Sequence, residues 1–121
     1  MADRVYDKGD ERGVFSSAWL GELAEDIHAW ACVKGFWDDD RGAGECIALM
    51  HSELSEALEA ERHGNPPDEH CPEYDSVTIE LADCIIRILD YAGAHDLDIG
   101  GAIMAKMRFN ETRPHKHGKE F

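Results

Sequence analysis

Bases are scarce in this chain: 12 Lys and Arg stand against 26 Asp and Glu, a formal net charge of −14. Duplex-DNA binders draw their affinity from neutralising phosphates, so this scarcity argues against a nucleic-acid partner. It leaves a nucleotide substrate open, because cations can bridge two anions. No apolar run is long enough to cross a bilayer, so no membrane partner is expected. None of the four cysteines, Cys32, Cys46, Cys71 and Cys84, forms a CxxC pair, which removes the usual zinc and thioredoxin spacings. No secretory leader pattern precedes them. The expectation is a cytoplasmic protein with reduced thiols, three of them small core residues inside helices. Internal repeats and low-complexity segments are also missing.

What the chain does have is aliphatic residues in periodic blocks, which separates it from a disordered acidic tail. A length of 121 residues suits one domain. Residues 1–15 are polar and read as a loose arm, leaving 16–121 as the folded unit. Ser16 or Ser17 can cap a first helix that runs to about residue 34. A second helix is predicted over about 44–63, stopped by Gly64-Asn65-Pro66-Pro67. Ser76 can start a third, running to about residue 94, and Asp98 can cap a fourth that ends before Pro114. Four helices joined by short loops predict an all-α, four-helix-bundle-like domain. A domain this small leaves much apolar surface wet, which a homo-oligomer would cover.

Carboxylates three apart share one helix face. In so acidic a chain, random placement yields about five such pairs. The chain holds Asp7/Asp10, Glu22/Glu25, Glu53/Glu56, Glu56/Glu59 and Glu80/Asp83, so number alone decides nothing and helix position must. On the first helix, Trp19, Leu20, Leu23, Ile27, Trp30 and Ala31 form the apolar side, with Trp30 read as core. Glu22, Glu25 and His28 fall opposite and read as solvated surface. On the second, Cys46, Ile47, Met50, Leu54, Ala57 and Leu58 define the apolar face. Glu53 falls inside that arc, Glu56 on its edge, and Glu59 points away. A carboxylate on a buried face is costly unless it is paired or binds a metal.

The third helix is apolar around most of its circumference, which predicts a central position. Glu80, Asp83, Arg87 and Asp90 occupy its one polar stripe. That stripe reads either as a functional cleft or as a solvent face with an internal salt bridge from Arg87 to Asp83 or Asp90. If the second and third helices pack antiparallel, Glu53 and Glu56 could face Glu80 and Asp83. Divalent cations would relieve the repulsion, and Mg²⁺ favours hard oxygens shared with substrate phosphates. A diiron bundle would need two Glu-x-x-His motifs, and only Glu25-x-x-His28 is present, on the polar face. On the fourth helix, Lys106, Asn110 and Arg113 recur at i, i+4 and i+7 as a basic ridge suited to phosphate.

Together these residues resemble the MazG-like branch of the all-α nucleoside triphosphate pyrophosphohydrolases. The paired motifs read Glu53-Leu-Ser-Glu56 and Glu80-Leu-Ala-Asp83, with 23 residues between them. The segments HSELSEALEAER, ELADCIIRILDYAG and KMRFNETRPHKHGKEF carry the likeness, the last through a K-x3-N-x2-R-P-x2-H-G-K signature. The resemblance implies Mg²⁺, with Mn²⁺ able to substitute, on Glu53, Glu56, Glu80 and Asp83. It implies phosphate contacts from Lys106 and Arg113 with Asn110 beside them. It implies that a metal-oriented water attacks near the α-phosphate of a nucleoside triphosphate and releases pyrophosphate. Which of the four carboxylates activates that water stays open. Phe36 and Trp37, near the first-helix exit, are candidate platforms for the base, with core packing the competing reading. Relatives assemble as dimers or tetramers, so a homo-oligomer is implied. The competing class is a non-catalytic acidic protein, a regulatory partner or DNA mimic. It would spread its carboxylates over the surface and leave the basic ridge without a role.

Overall fold

The computed structural model describes residues 17–118. The expected arm at 1–15, the alternative cap Ser16 and Lys119 of the C-terminal signature lie outside the described residues. Four α-helices follow one another: α1 (Ser17–Val33), α2 (Ala43–Arg62), α3 (Ser76–Ala94) and α4 (Ile99–Glu111). A single 3-10 turn, His115–Gly118, ends the described chain. No strand forms among the described residues; one isolated bridge pairs Pro67 with Asp75.

Local chemistry sets the helix ends. Gly35 (φ 87°) and Gly64 (φ 82°) take the left-handed conformation that closes a helix, a shape costly for residues with a Cβ. At these ends Phe36 N–H returns to the Ala31 carbonyl at 3.1 Å, and Asn65 N–H to that of Ala60 at 2.8 Å. Asp75 caps α3 by accepting from Thr78 N–H at 2.7 Å, and Asp98 caps α4 by accepting from Gly101 N–H at 2.8 Å. The 65–75 loop is tied to α3 by Asn65 Oδ1, which accepts from Val77 N–H at 2.8 Å.

The helices pack as α2 on α3, α3 on α1, and α1 on α4. The shared core is built of small side chains, Ala24, Ala31, Cys46, Ala57, Cys84 and Ala92, around the larger Leu89 and Met104. Small residues are required where α1 meets α3. A Cβ at Gly93 would stand 2.6 Å from the Ala24 carbonyl oxygen and 2.8 Å from His28 Cβ.

That close approach corrects two expectations. The face of α1 that meets α3 carries Ala24, His28 and Ala31, so the bulky Trp19 and Trp30 remain outside it, each exposed. His28, read as surface, is instead half-buried against α3. Cys32, one position beyond Ala31, is exposed, while Cys46 and Cys84 are buried. The third helix does lie between α1 and α2. Yet Leu81, Ile85 and Ile86 on it, with Ile47, Leu54 and Leu58 on α2, stay exposed because no further helix among the described residues covers them.

Candidate active site

Glu53 is the one buried charged residue among the described ones, 7% exposed. It sits in the α2 face that packs on α3, one turn before Ala57 and two after Cys46, both buried. The α2–α3 packing brings Glu80 and Asp83 to it. One carboxylate oxygen from each of Glu53, Glu80 and Asp83 lies within 4.8 Å of the others. Glu56 is exposed at the edge, close enough to Glu80 to raise its proton affinity. All four carboxylates singled out by spacing therefore converge, three tightly and one at the margin.

Crowding shows in their proton affinities. Glu80 is pushed up to about 7, first by burial and then by hydrogen bonds to Glu56 and Glu53 and by their negative charges. Asp83 is also raised, mainly by burial and the Glu53 charge, with Arg87 opposing and Asp68 adding to the effect. Oxygen donors this close, whose repulsion one guanidinium, Arg87, relieves only in part, could hold a hard divalent cation.

Arg87 lines the site, and its partner differs from the ones that helix spacing suggests. It bonds neither Asp83 nor Asp90. Its Nε donates to Glu53 Oε1 across the helix interface at 2.6 Å. Spacing within one helix could suggest only the i±3 and i±4 partners, so a partner on another helix was invisible.

A cleft of about 220 Å³ opens beside the carboxylates. Glu53, Asp83 and Arg87 line it together with Trp30, Phe36, Ile27, Ala31 and Ile86, and Arg41 and Asp90 complete it. The Trp30 and Phe36 rings are 6.2 Å apart at 35°, and both are about half exposed (52% and 54%). Trp30, read as core, thus faces the cleft. Its ring and that of Phe36 offer flat apolar surface of the kind on which a base stacks.

Trp37 has a different position. Its indole N–H donates to Asp90, 2.9 Å to Oδ1 and 3.1 Å to Oδ2. His28 meets the ring edge-on at 5.3 Å, and the Arg41 guanidinium covers it at 5.0 Å. Asp90 also takes His28 Nδ1 at 2.9 Å. His28 Nε2 in turn lies 3.4 Å from Cys32 Sγ. Trp37 lines a small side cavity of about 20 Å³ with Arg41, Arg87 and Asp90. Its polar handle is already used by the protein, whereas Phe36 has its face on the larger cleft.

The basic ridge is not brought to the carboxylates within one chain. Its helix, α4, docks on α1, while the acids lie between α2 and α3. Lys106 and Arg113 flank the Phe109 ring, at 4.8 and 5.7 Å from its centroid. Asn110 Oδ1 is buried with no hydrogen-bond partner among the described residues. The cations that do line the cleft are Arg41 and Arg87.

Comparison with known proteins gives one informative relative. The chain is 30% identical to a dATP/dGTP diphosphohydrolase of cyanophage S-2L over 96 residues, which cover 79% of this chain and 77% of that enzyme. No family model matches the chain, and no solved structure matches it.

Proposed function

The chain belongs to a family of nucleotide pyrophosphohydrolases, and we propose that it hydrolyses a nucleoside triphosphate, NTP or dNTP, between the α- and β-phosphates. The products are a nucleoside monophosphate and pyrophosphate, a reaction suited to nucleotide-pool house-cleaning. The observation that carries this reading is the cleft itself, lined both by two members of the three-carboxylate cluster, Glu53 and Asp83, and by two aromatic rings, Trp30 and Phe36. That layout matches a nucleotide with its base at Trp30 and Phe36 and its phosphates toward Glu53, Glu80 and Asp83. Purine deoxynucleotides are the first substrates to try, because dATP and dGTP are those named for the phage relative.

In this reading Mg²⁺, with Mn²⁺ as a substitute, is held by Glu53, Glu80 and Asp83 with Glu56 beside them. It supplies charge neutralisation for the phosphates and orientation for a water. Glu53, Glu56, Glu80 and Asp83 are the catalytic carboxylates, Phe36 is part of the base platform, and Trp37 fixes the loop behind it. Lys106, Asn110 and Arg113 contact phosphates from a second copy of the chain. A homo-oligomer, dimer or tetramer, is supported by the exposed apolar residues of α2 and α3.

The test is pyrophosphate release from a panel of NTPs and dNTPs, with Mg²⁺, with EDTA, and with Glu53→Gln and Glu80→Gln. Magnesium-dependent release lost in both variants supports the assignment, and the panel ranks the substrates. No release from folded, magnesium-loaded protein would return the chain to the class of acidic regulatory partners.

A further inference from the structure

Four carboxylates, Glu53, Glu56, Glu80 and Asp83, gather at the α2–α3 interface, and among the described residues Arg87 is the one guanidinium bonded to the buried member. Glu53 is almost fully enclosed, while the Arg87 side chain is 35% exposed and lines the cleft alongside Glu53 and Asp83. The buried partner is therefore held in place, and the solvent-facing partner is the one free to move. A divalent cation on Glu53, Glu80 and Asp83 must compete for Glu53 oxygens with this guanidinium, and would stand beside a like charge.

Resting on the proposed pyrophosphohydrolase reading, we propose that Arg87 is an exchangeable counter-ion of the acidic site. It neutralises Glu53 while the site holds no cation. When cation and nucleotide bind together, it releases Glu53 and turns its donors to the anionic phosphates in the same cleft. Arg suits this exchange because its planar fork pairs with carboxylate and with phosphate oxygens alike. The consequence is coupling: Arg87 holds down cation affinity in the empty site and raises nucleotide affinity in the loaded one. A guanidinium that merely aligned Glu53 as a ligand would have the opposite effect on the cation.

The experiment measures Mn²⁺ binding to the full chain without nucleotide, by calorimetry and by the loss of free-ion paramagnetic resonance signal. Wild type, Arg87→Gln, Arg87→Lys and Glu53→Gln are compared, with circular dichroism to verify folding. Removing one positive charge a few ångström from the cation should tighten Mn²⁺ binding on the order of tenfold in Arg87→Gln. Arg87→Lys, which keeps the charge, should bind Mn²⁺ like wild type. Both should bind a non-hydrolysable α,β-imido nucleotide more weakly in the presence of Mn²⁺.

Unchanged or weaker Mn²⁺ binding in folded Arg87→Gln overturns the proposal, leaving Arg87 an aligning residue. Should the Gln variant fail to fold, weaker Mn²⁺ binding in Arg87→Lys overturns it equally. Failure of the underlying reading looks different: wild type would then bind no Mn²⁺, or bind it with no dependence on Glu53.

Discussion

The indole N–H of Trp37 donates to the carboxylate of Asp90, and this bond fixes the α1–α2 loop on α3 at 2.9 Å. Asp90 is only 13% exposed and also accepts His28, so two groups from different segments share one carboxylate. Aromatic residues three and four positions beyond α1 thus have separate tasks. Trp37 anchors the loop, and Phe36 next to it presents its ring to the cleft.

Replacing Trp37 by Phe should lower stability by about 1–3 kcal/mol, since a partly buried carboxylate loses a donor. Trp30→Ala and Phe36→Ala should instead leave the melting temperature within a few degrees and raise KM severalfold. Thermal melts and steady-state kinetics on the three variants separate the roles. A loss of stability in Trp30→Ala as large as that in Trp37→Phe would contradict the assignment of Trp30 to the cleft wall.

Gly93 and Gly21 are both helical and should respond oppositely to alanine. At Gly93 the new methyl meets the Ala24 backbone carbonyl, which cannot step aside without moving α1. A cost of about 1–3 kcal/mol is expected in denaturant unfolding. At Gly21 nothing lies within 4 Å of the new Cβ. There alanine should stabilise by about 0.5–1 kcal/mol through backbone entropy.

The carboxylate cluster makes stability depend on pH with a defined sign. Glu80 has a folded value pushed up to about 7 from an ordinary 4.5, so the folded state holds its proton more tightly. The stabilisation this gives is fully present below the unfolded value and is lost as pH rises through about 7. Asp83, raised for similar reasons, acts in the same direction. Without divalent ions, the contribution of this cluster therefore falls between about pH 5 and pH 8. A bound cation competes with those protons, so the Mg²⁺-induced rise in melting temperature should be larger at about pH 8 than at about pH 5.5. A rise of equal size at both would argue that the ion binds elsewhere.

Ile47, Leu54 and Leu58 on α2 and Leu81 and Ile85 on α3 expose apolar surface that one chain leaves uncovered. Sedimentation should show an oligomer, and Leu54→Glu should shift it toward monomer, since an uncompensated charge in an apolar contact is strongly unfavourable. Activity should fall with dissociation if the phosphate contacts of Lys106 and Arg113 come from a second copy. Full activity in a Leu54→Glu monomer would remove α4 from the site.

The helices were legible because their signals are local. Asp98 caps the fourth helix where its side chain was expected to, Gly64 and the prolines stop the second, and Pro114 follows the end of the fourth. The meeting of Glu53, Glu80 and Asp83 was legible too, because a carboxylate inside an apolar arc demands a counterpart and the adjoining helix offered one.

Other relations were decided only in three dimensions. Periodicity shows which residues share a face but not how closely two helices approach. Gly93 against Ala24 lets α1 and α3 approach so closely that Trp30 is left at the cleft and His28 drawn inward. Arg87 takes Glu53 rather than a neighbour on its own helix because the α2–α3 packing puts the buried carboxylate nearer. The basic ridge of α4 was plain in the chain, yet its distance from the acids depends on α4 docking against α1. Caps and helix faces follow from nearest-neighbour stereochemistry, which sequence carries. Partners across helices depend on interaxial distance and rotation, which only the packed side chains of the whole molecule set.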